Sequence, residues 1–524
     1  METPRISRRS ILQGTAATAA WAAGRRRLAS AQTQAPRTLR IRIEKDISAL
    51  DPAHAGTRSE HAVVWALSNR LTMFKPTGDK WDWQPDLARE LKQESDTRVR
   101  FTLRPGVQWT NGFGEVTAED VKYSFERYLD PNLKSGNAVD WKLLERVEVV
   151  DKHTGVIVLK APFPALWISS LPRTSGAIVC KKAVEGVGGS YKNNPPATSG
   201  PYVLKEWRPK EVVILARNPL WNGRRPDFDE IHFRPIDDQK TAELAFEAGE
   251  IDFTEVSVSS LPKYLKSAPA GARVAVRPLV GIEWVGMNVE HPVLKDARVR
   301  KAIQNAIDPA AFIDAAYFGQ AKPAMGLIPA GVMGHRERKL VAGRDLATAR
   351  RLLAEAGVAS GFKTTLAVLN NTDSVTGAQV IQANLAEVGI DVQITPYESG
   401  TFWNLGVEGK GNDWKTLQLY LQKWGLPPDP GGMTQWWTTE QIGKWNWERW
   451  SDPEFDGLHR QALSEMDPKK REQLYKQMQD RMEASGAFVW LTNGVQALMY
   501  RNWIEPGTTP DGRLLLVSEF RRAG

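Results

Sequence analysis

The sequence predicts an α/β fold built from more than one lobe, and three observations carry that prediction. Strand and helix signals alternate between Asp345 and Ile394, the rhythm of βαβ units and a mostly parallel sheet. The 524 residues are several times the roughly 100 to 150 of a common domain, so two to four lobes with sizeable cores are expected. Hydrophobic residues make up 42% and charged residues 25%, which excludes a disordered or collagen-like chain. No run of about 18 apolar residues occurs, so no segment reads as a membrane span. The single cysteine, Cys180, excludes an intramolecular disulfide and a multi-cysteine metal site.

Each element has its own signal. Leu39, Ile41 and Ile43 alternate with polar residues, as do Val99, Phe101 and Leu103 ahead of a Pro105-Gly106 turn, and each set reads as a strand. Thr117 to Asp120 reads as a capping box, with Val121, Phe125, Tyr128 and Leu129 as the apolar face of the helix behind it. Val156 with Val158, and Val213 with Leu215, mark further strands. Asp345 caps a helix whose inner face is Leu346, Ala349, Leu353 and Ala356, and Gly357 ends it. A strand over 362–369 follows. Next comes a helix with Val375, Ala378, Ile381, Leu385 and Val388 inward, stopped by Gly389, then alternating Ile390, Val392 and Ile394. Asp467-Pro468 opens a last helix with Leu474, Met478 and Met482 inward. No repeat or low-complexity linker is visible, so ordered crossings are expected to join the lobes.

The formal charge is +8, but residues 1–31 carry a net +5, which leaves only +3 for the rest. A body that mild argues against a phosphate-binding surface, which needs many clustered cations, and no nucleic-acid partner is expected. The basic N-terminus has another reading. Ser7 to Gln13 (SRRSILQ) resembles a twin-arginine export signal, followed by a small-residue apolar run from Thr15 to Ala23 and an A-x-A cleavage site at Ala29-Ser30-Ala31. Residues 1–31 are expected to be a signal peptide removed on export to the periplasm. No cysteine follows the apolar run, so a lipid anchor on cysteine is not expected.

Catalytic signals are absent. No two of the seven histidines stand at the i, i+4 spacing of a zinc helix, and there is no G-x-S-x-G, G-x-x-x-x-G-K or G-x-G-x-x-G. Ser260-Leu261-Pro262-Lys263 matches the S-x-x-K of serine β-lactam enzymes without the accompanying K-T-G, and Pro262 disfavours the helix that motif needs. No enzyme activity, cofactor or metal is expected. The rival readings are a secreted hydrolase that acts on oligosaccharide through paired carboxylates, and a binder of a metal or metal chelate.

Eight segments in order resemble the extracytoplasmic solute-binding proteins of ABC importers, in the peptide/opine/nickel family. They are Leu50-Asp51-Pro52, VRFTLRPGVQW from Val99, TAEDVKYSF from Thr117, TSGPYVL from Thr198, Gly249 to Asp252, the run from Asn288 to Asp308, Ala349 to Gly357 with Gly389-Ile390, and Ser451 to Phe455. The resemblance implies two α/β lobes about a hinged cleft, with an extra subdomain inserted in the first. Lobe I would combine 38–76, 197–280 and 490–524; the insert would be 77–196 and lobe II 281–489, with crossings near Val280-Gly281 and Phe488-Val489. A monomer that delivers a peptide-like, opine or oligosaccharide solute to the transmembrane subunits of an ABC permease is implied. Gly106, Gly200, Asp296, Arg298 and Arg300 read as fold determinants.

Peptide-binding members of that family carry an aspartate three residues after a lobe II tryptophan, where it pairs with the peptide amine. Here that tryptophan is Trp424 and the residue is Pro427, so ordinary peptide binding is disfavoured, with Asp429 as a substitute. Eight of the 20 tryptophans lie between Trp403 and Trp450. Trp436, Trp437, Trp445 and Trp447 fall in a polar stretch without helical or strand period, and indole faces there can stack on a ligand. Arg449 can pair with a ligand carboxylate. From lobe I, Thr57 and Arg58 follow the turn at Leu50 to Pro52 in a loop that lines the cleft in relatives.

Overall fold

The computed structural model describes residues 37–76, 80–341 and 343–523; the expected signal peptide lies outside them. Three sheets organise the chain. The first has seven strands in the order Ala272–Pro278, Val495–Arg501, Phe253–Val256, Thr38–Ile43, Glu230–Pro235, Val212–Arg217 and Tyr202–Arg208. Its central strand Thr38–Ile43 runs parallel to both neighbours. Leu39 and Ile41, the alternate residues of that strand, are fully buried. The second sheet orders Ile390–Tyr397, Phe362–Leu369, Leu419–Gly425, Gly281–Met287 and Phe488–Thr492. The third is antiparallel throughout, Ala88–Ser95, Arg98–Leu103, Thr154–Leu159 and Leu144–Val149.

The second sheet departs from the mostly parallel expectation. Phe362–Leu369 pairs in parallel with Ile390–Tyr397 and Leu419–Gly425, but Gly281–Met287 is antiparallel to both its neighbours. A parallel pair needs a long crossover, which the helix Thr372–Ala386 supplies between the first two strands. Gly281–Met287 and Phe488–Thr492 instead enter straight from or leave straight for the first sheet. The crossings fall at Leu279-Val280 and Asn493-Gly494. Phe488-Val489 therefore lies inside a strand of the second sheet, and the second crossing stands about five residues beyond the expected one.

Local signals place the helices. Asp345 accepts from the Thr348 N–H at the start of Leu346–Glu355, and Gly357 takes φ 79° after it. Asp467 accepts from Lys469 and Lys470 N–H, with Pro468 in the first turn of Pro468–Ala484. Leu129, expected inward, is 39% exposed because the helix Ala118–Glu126 gives way to a 3-10 turn at Arg127–Leu129. The helix Leu261–Lys266 does form around Pro262, which occupies its first turn where the missing N–H costs nothing. Lys263 pairs with Glu247 at 2.7 Å, whereas the Ser260 hydroxyl donates to Glu243 at 2.5 Å.

Sequence motifs of the resemblance act as scaffold. Arg127 donates two hydrogen bonds to the buried carboxylate of Asp51, at 3.0 and 2.9 Å, and thereby ties the Leu50-Asp51-Pro52 turn to the inserted subdomain. Gly200 packs against the end of the helix Arg58–Leu67, where a Cβ would stand 2.5 Å from the Leu67 carbonyl carbon. Asp296 caps Ala297–Ala306, and Arg300 donates to the Leu294, Lys295 and Ser485 carbonyls.

Candidate functional site

The two crossings run side by side between the first and second sheets. Asn493 Nδ2 donates to the Gly281 carbonyl at 2.8 Å, and Leu279 N–H to the Gly494 carbonyl at 3.3 Å. Around them lies a cavity of about 200 Å³ lined from both sheets and from the C-terminal tail. Larger cavities exist elsewhere, of about 440 Å³ beside the edge strand Phe488–Thr492 and about 560 Å³ in the inserted subdomain. Each of those is lined from one side of the crossings only. A hinged pair of lobes can close on a ligand only where both contribute walls, which singles out the smaller cavity.

Charged side chains dominate its walls. Arg58, at the first turn of Arg58–Leu67, donates to Glu255 at 2.8 Å and to Glu44. Thr57 positions it by capping that helix: its hydroxyl accepts from Glu60 N–H while the Glu60 carboxylate accepts from Thr57 N–H. From the second sheet come Glu283, Lys423 and Trp424. Glu283 is buried, and burial raises its pKa even though Lys423 and the Tyr317 hydroxyl, which donates to it at 2.5 Å, act the other way. The Lys423 ammonium lies over the Tyr317 ring, 5.0 Å from its centroid. Arg513 reaches in from the C-terminal tail, its pKa lowered by burial and by the charge of Arg58.

Trp424 is the half-buried top of a layer of indoles. Its ring lies edge-on to Trp284 at 5.1 Å and tilted against Trp437 at 5.3 Å, while Trp436 and Trp445 stand at 6.2 and 5.9 Å. Trp437 and Trp447 are each 1% exposed and belong to the core. Trp447 donates Nε1 to the Lys444 carbonyl, and Gly406 lies against its ring, where a Cβ would stand 2.1 Å from Cγ. Trp445 is 40% exposed, and neither it nor Trp447 lies in a strand. Beneath them Glu448 is fully buried and accepts from Trp284 Nε1 at 2.8 Å. Burial pushes its carboxyl up to about 7, against the hydrogen bond from Trp284 Nε1.

Asp429 and Arg449 are committed to the scaffold. Asp429 is 3% exposed, caps Pro430–Thr434, and accepts from both terminal nitrogens of Arg471 at 2.9 and 3.0 Å. A carboxylate so paired offers nothing to a ligand amine. Arg449 donates to Glu290 and Glu408 and lies over the Trp414 ring at 4.3 Å. Of the nine residues singled out from sequence, only Trp424 and Arg58 line the cavity between the sheets. Sequence reasoning missed Glu283, Lys423 and Arg513. Lys423 had a signal, since it precedes Trp424 on one strand; Arg513 had only its place after the Pro510-Asp511-Gly512 turn.

Among the described residues no helix is long and apolar enough to cross a membrane, and no group of three or more His, Cys, Asp or Glu is placed to hold a metal ion. The glutathione-binding protein GsiB of Salmonella paratyphi A is 28% identical over 453 residues, 84% of this chain and 86% of that protein. Two solved structures share the fold at 22% identity. The ABC transporter substrate-binding protein CtaP of Listeria monocytogenes has a TM-score of 0.80 over 93% of this chain and 99% of its own, and HbpA2 of Haemophilus parasuis 0.81 over 93% and 100%. Residues 82–452 match the middle region of bacterial extracellular solute-binding proteins, family 5, and with most of the chain matched, a two-lobed α/β fold and a cavity shared between the lobes, the protein belongs to that family.

Proposed function

We propose that this protein captures a solute in the cavity at the two crossings and delivers it to an ABC permease, acting as a monomer outside the cytoplasm after twin-arginine export. The observation that carries the reading is the joint lining of one cavity by Glu255 of the first sheet and Arg58 of the helix Arg58–Leu67 on one side, and by Lys423 and Trp424 of the second sheet on the other. A ligand held by both walls favours the closed arrangement over the open one, because only the closed one makes both sets of contacts. Trp424 and Arg58 are the proposed ligand contacts, with Trp436 and Trp445 as a flank and Thr57 as the residue that positions Arg58. The lobes divide as 38–76 with 197–280 and the C-terminal segment, against lobe II from 281, with 77–196 inserted in the first. The solute is peptide-like, an opine or an oligosaccharide; glutathione, in the name of the relative GsiB, is the first probe.

Small-angle scattering with saturating glutathione and a panel of such solutes tests the proposal. A solute that binds stoichiometrically, is recovered intact and contracts the particle supports it. A curve unchanged by every bound solute overturns the closing mechanism, and product formation from an oligosaccharide revives the hydrolase reading. N-terminal sequencing of the exported protein tests localisation, and an intact Met1 refutes signal cleavage.

A further inference from the structure

The charged groups of the cavity do not all have a hydrogen-bonded partner. Arg58 holds both Glu44 and Glu255, and Arg42 draws further on Glu255 at 3.6 Å while donating to the Ile236 and Asp237 carbonyls. Glu283 has the Tyr317 hydroxyl. Asp511, the acid nearest Arg513 in sequence, accepts from the Thr509 hydroxyl at 2.7 Å and from the Arg513 backbone N–H at 3.1 Å. The Arg513 guanidinium itself makes no hydrogen bond or ion pair among the described residues, and it lies against Gly425 of the other lobe, where a Cβ would stand 2.8 Å from Nη1. Lys423, two residues before Gly425, makes no hydrogen bond or close ion pair among the described residues; it lies over the face of Tyr317 and acts on Glu283 only through its charge. Two cations, one from the C-terminal tail and one from lobe II, thus face a shared cavity without a hydrogen-bonded acid, balanced only through space by Asp511 and Glu255 on one side and Glu283 on the other.

We infer that Arg513 and Lys423 together receive an anionic group of the solute, so that the ligand class is an organic acid recognised through its carboxylate and not through a free α-amine. The inference rests on the solute-binding reading and narrows it. A partly desolvated guanidinium without a partner is costly, and a carboxylate that accepts from its planar fork relieves that cost. The lowered pKa of Arg513 agrees with such desolvation. The aspartate that takes the amine in peptide-binding relatives has no counterpart, since Pro427 stands at its position and Asp429 is bound by Arg471. Gly425 completes the geometry: its bare Cα lets a tail residue of one lobe approach a strand of the other, so an acid bound there spans the cleft.

The test is a thermal-shift and titration panel of small carboxylic acids, including glutathione, N-acetylated dipeptides and sugar acids, each beside its methyl ester or amide. The probes are applied to the wild-type protein, Arg513→Gln, Arg513→Lys and Gly425→Ala. Stabilisation by acids and not by their esters, weakened about 10- to 100-fold in Arg513→Gln and only partly restored in Arg513→Lys, is expected. Gly425→Ala, which keeps every charge but pushes the guanidinium aside, should weaken the same acids. The inference is overturned if esters bind as well as acids, if Arg513→Gln keeps wild-type affinity, or if no acid binds. A neutral or cationic solute that contracts the particle overturns it while leaving the solute-binding reading intact; failure of every solute to bind sinks both.

Discussion

Trp424 and Trp437 carry the same side chain, and their places differ because of one strand. Trp424 sits in Leu419–Gly425 at the edge of the cavity, whereas Trp437 lies in the turn beneath it, closed in by Trp284, Phe488 and Trp490. Trp424→Ala should weaken solute binding by about 2 kcal/mol, roughly 30-fold, with little loss of stability; titration beside a melting curve checks both. Asp429→Ala should instead leave Arg471 buried and unpaired, costing about 3 to 5 kcal/mol in denaturant unfolding, and Asp429→Asn with Arg471→Met should recover part of that. Glu448 gives a pH signature. Its folded pKa of about 7 lies above its ordinary value of 4.5, so the folded state holds the proton more tightly and stability is lost as pH rises from 4.5 through 7. Glu448→Gln keeps the acceptor for Trp284 and should flatten that slope relative to wild type. Sequence reasoning could see that tryptophans gather here; it could not see which of them a carboxyl group is buried beneath.

At the scale of elements, caps and periodicity were legible because they are local. The helices opened by Thr117, Asp345 and Asp467 begin where their capping side chains stand. The capping box of Arg58–Leu67 bears most on the site, since Arg58 is its first residue. Burial works to raise the Glu60 pKa, but bonds from the Ser48 hydroxyl and from the Thr57, Ser48 and Gly56 backbone N–H groups outweigh it and hold the carboxyl at about 2. A depressed folded pKa stabilises above the unfolded value and is lost as pH falls from about 4.5 through 2. Glu60→Gln should therefore cost roughly 3 kcal/mol at pH 7 and nearly nothing below pH 2, measured by thermal unfolding across that range. Direction of strand pairing was not legible: alternation of helix and strand suggested parallel neighbours, and the direct crossings at 279–280 and 493–494 made Gly281–Met287 antiparallel to both of its own.

For the whole molecule the prediction concerns closure. Trp81 N–H donates to the Gly331 carbonyl at 3.1 Å, a bond away from the cavity between the segment after Thr72–Phe74 and the loop around Val332 in the lobe II core. Saturating solute should slow exchange of the Trp81 amide by about tenfold or more, equivalent to about 1.4 kcal/mol against opening; an unchanged rate would mean that the lobes do not move together there. By itself the sequence determined the α/β class, the helix ends and the absence of a catalytic motif, because these depend on residues within a turn or two of one another. Ordered motifs added the two-lobed family. Only the tertiary structure decided the site: Asp429 is spent on Arg471, 42 residues away, while Arg58, Lys423 and Arg513 meet at one cavity. Whether a charge serves the scaffold or a ligand depends on what stands across from it, and that neighbour is set by long-range packing that no local pattern encodes.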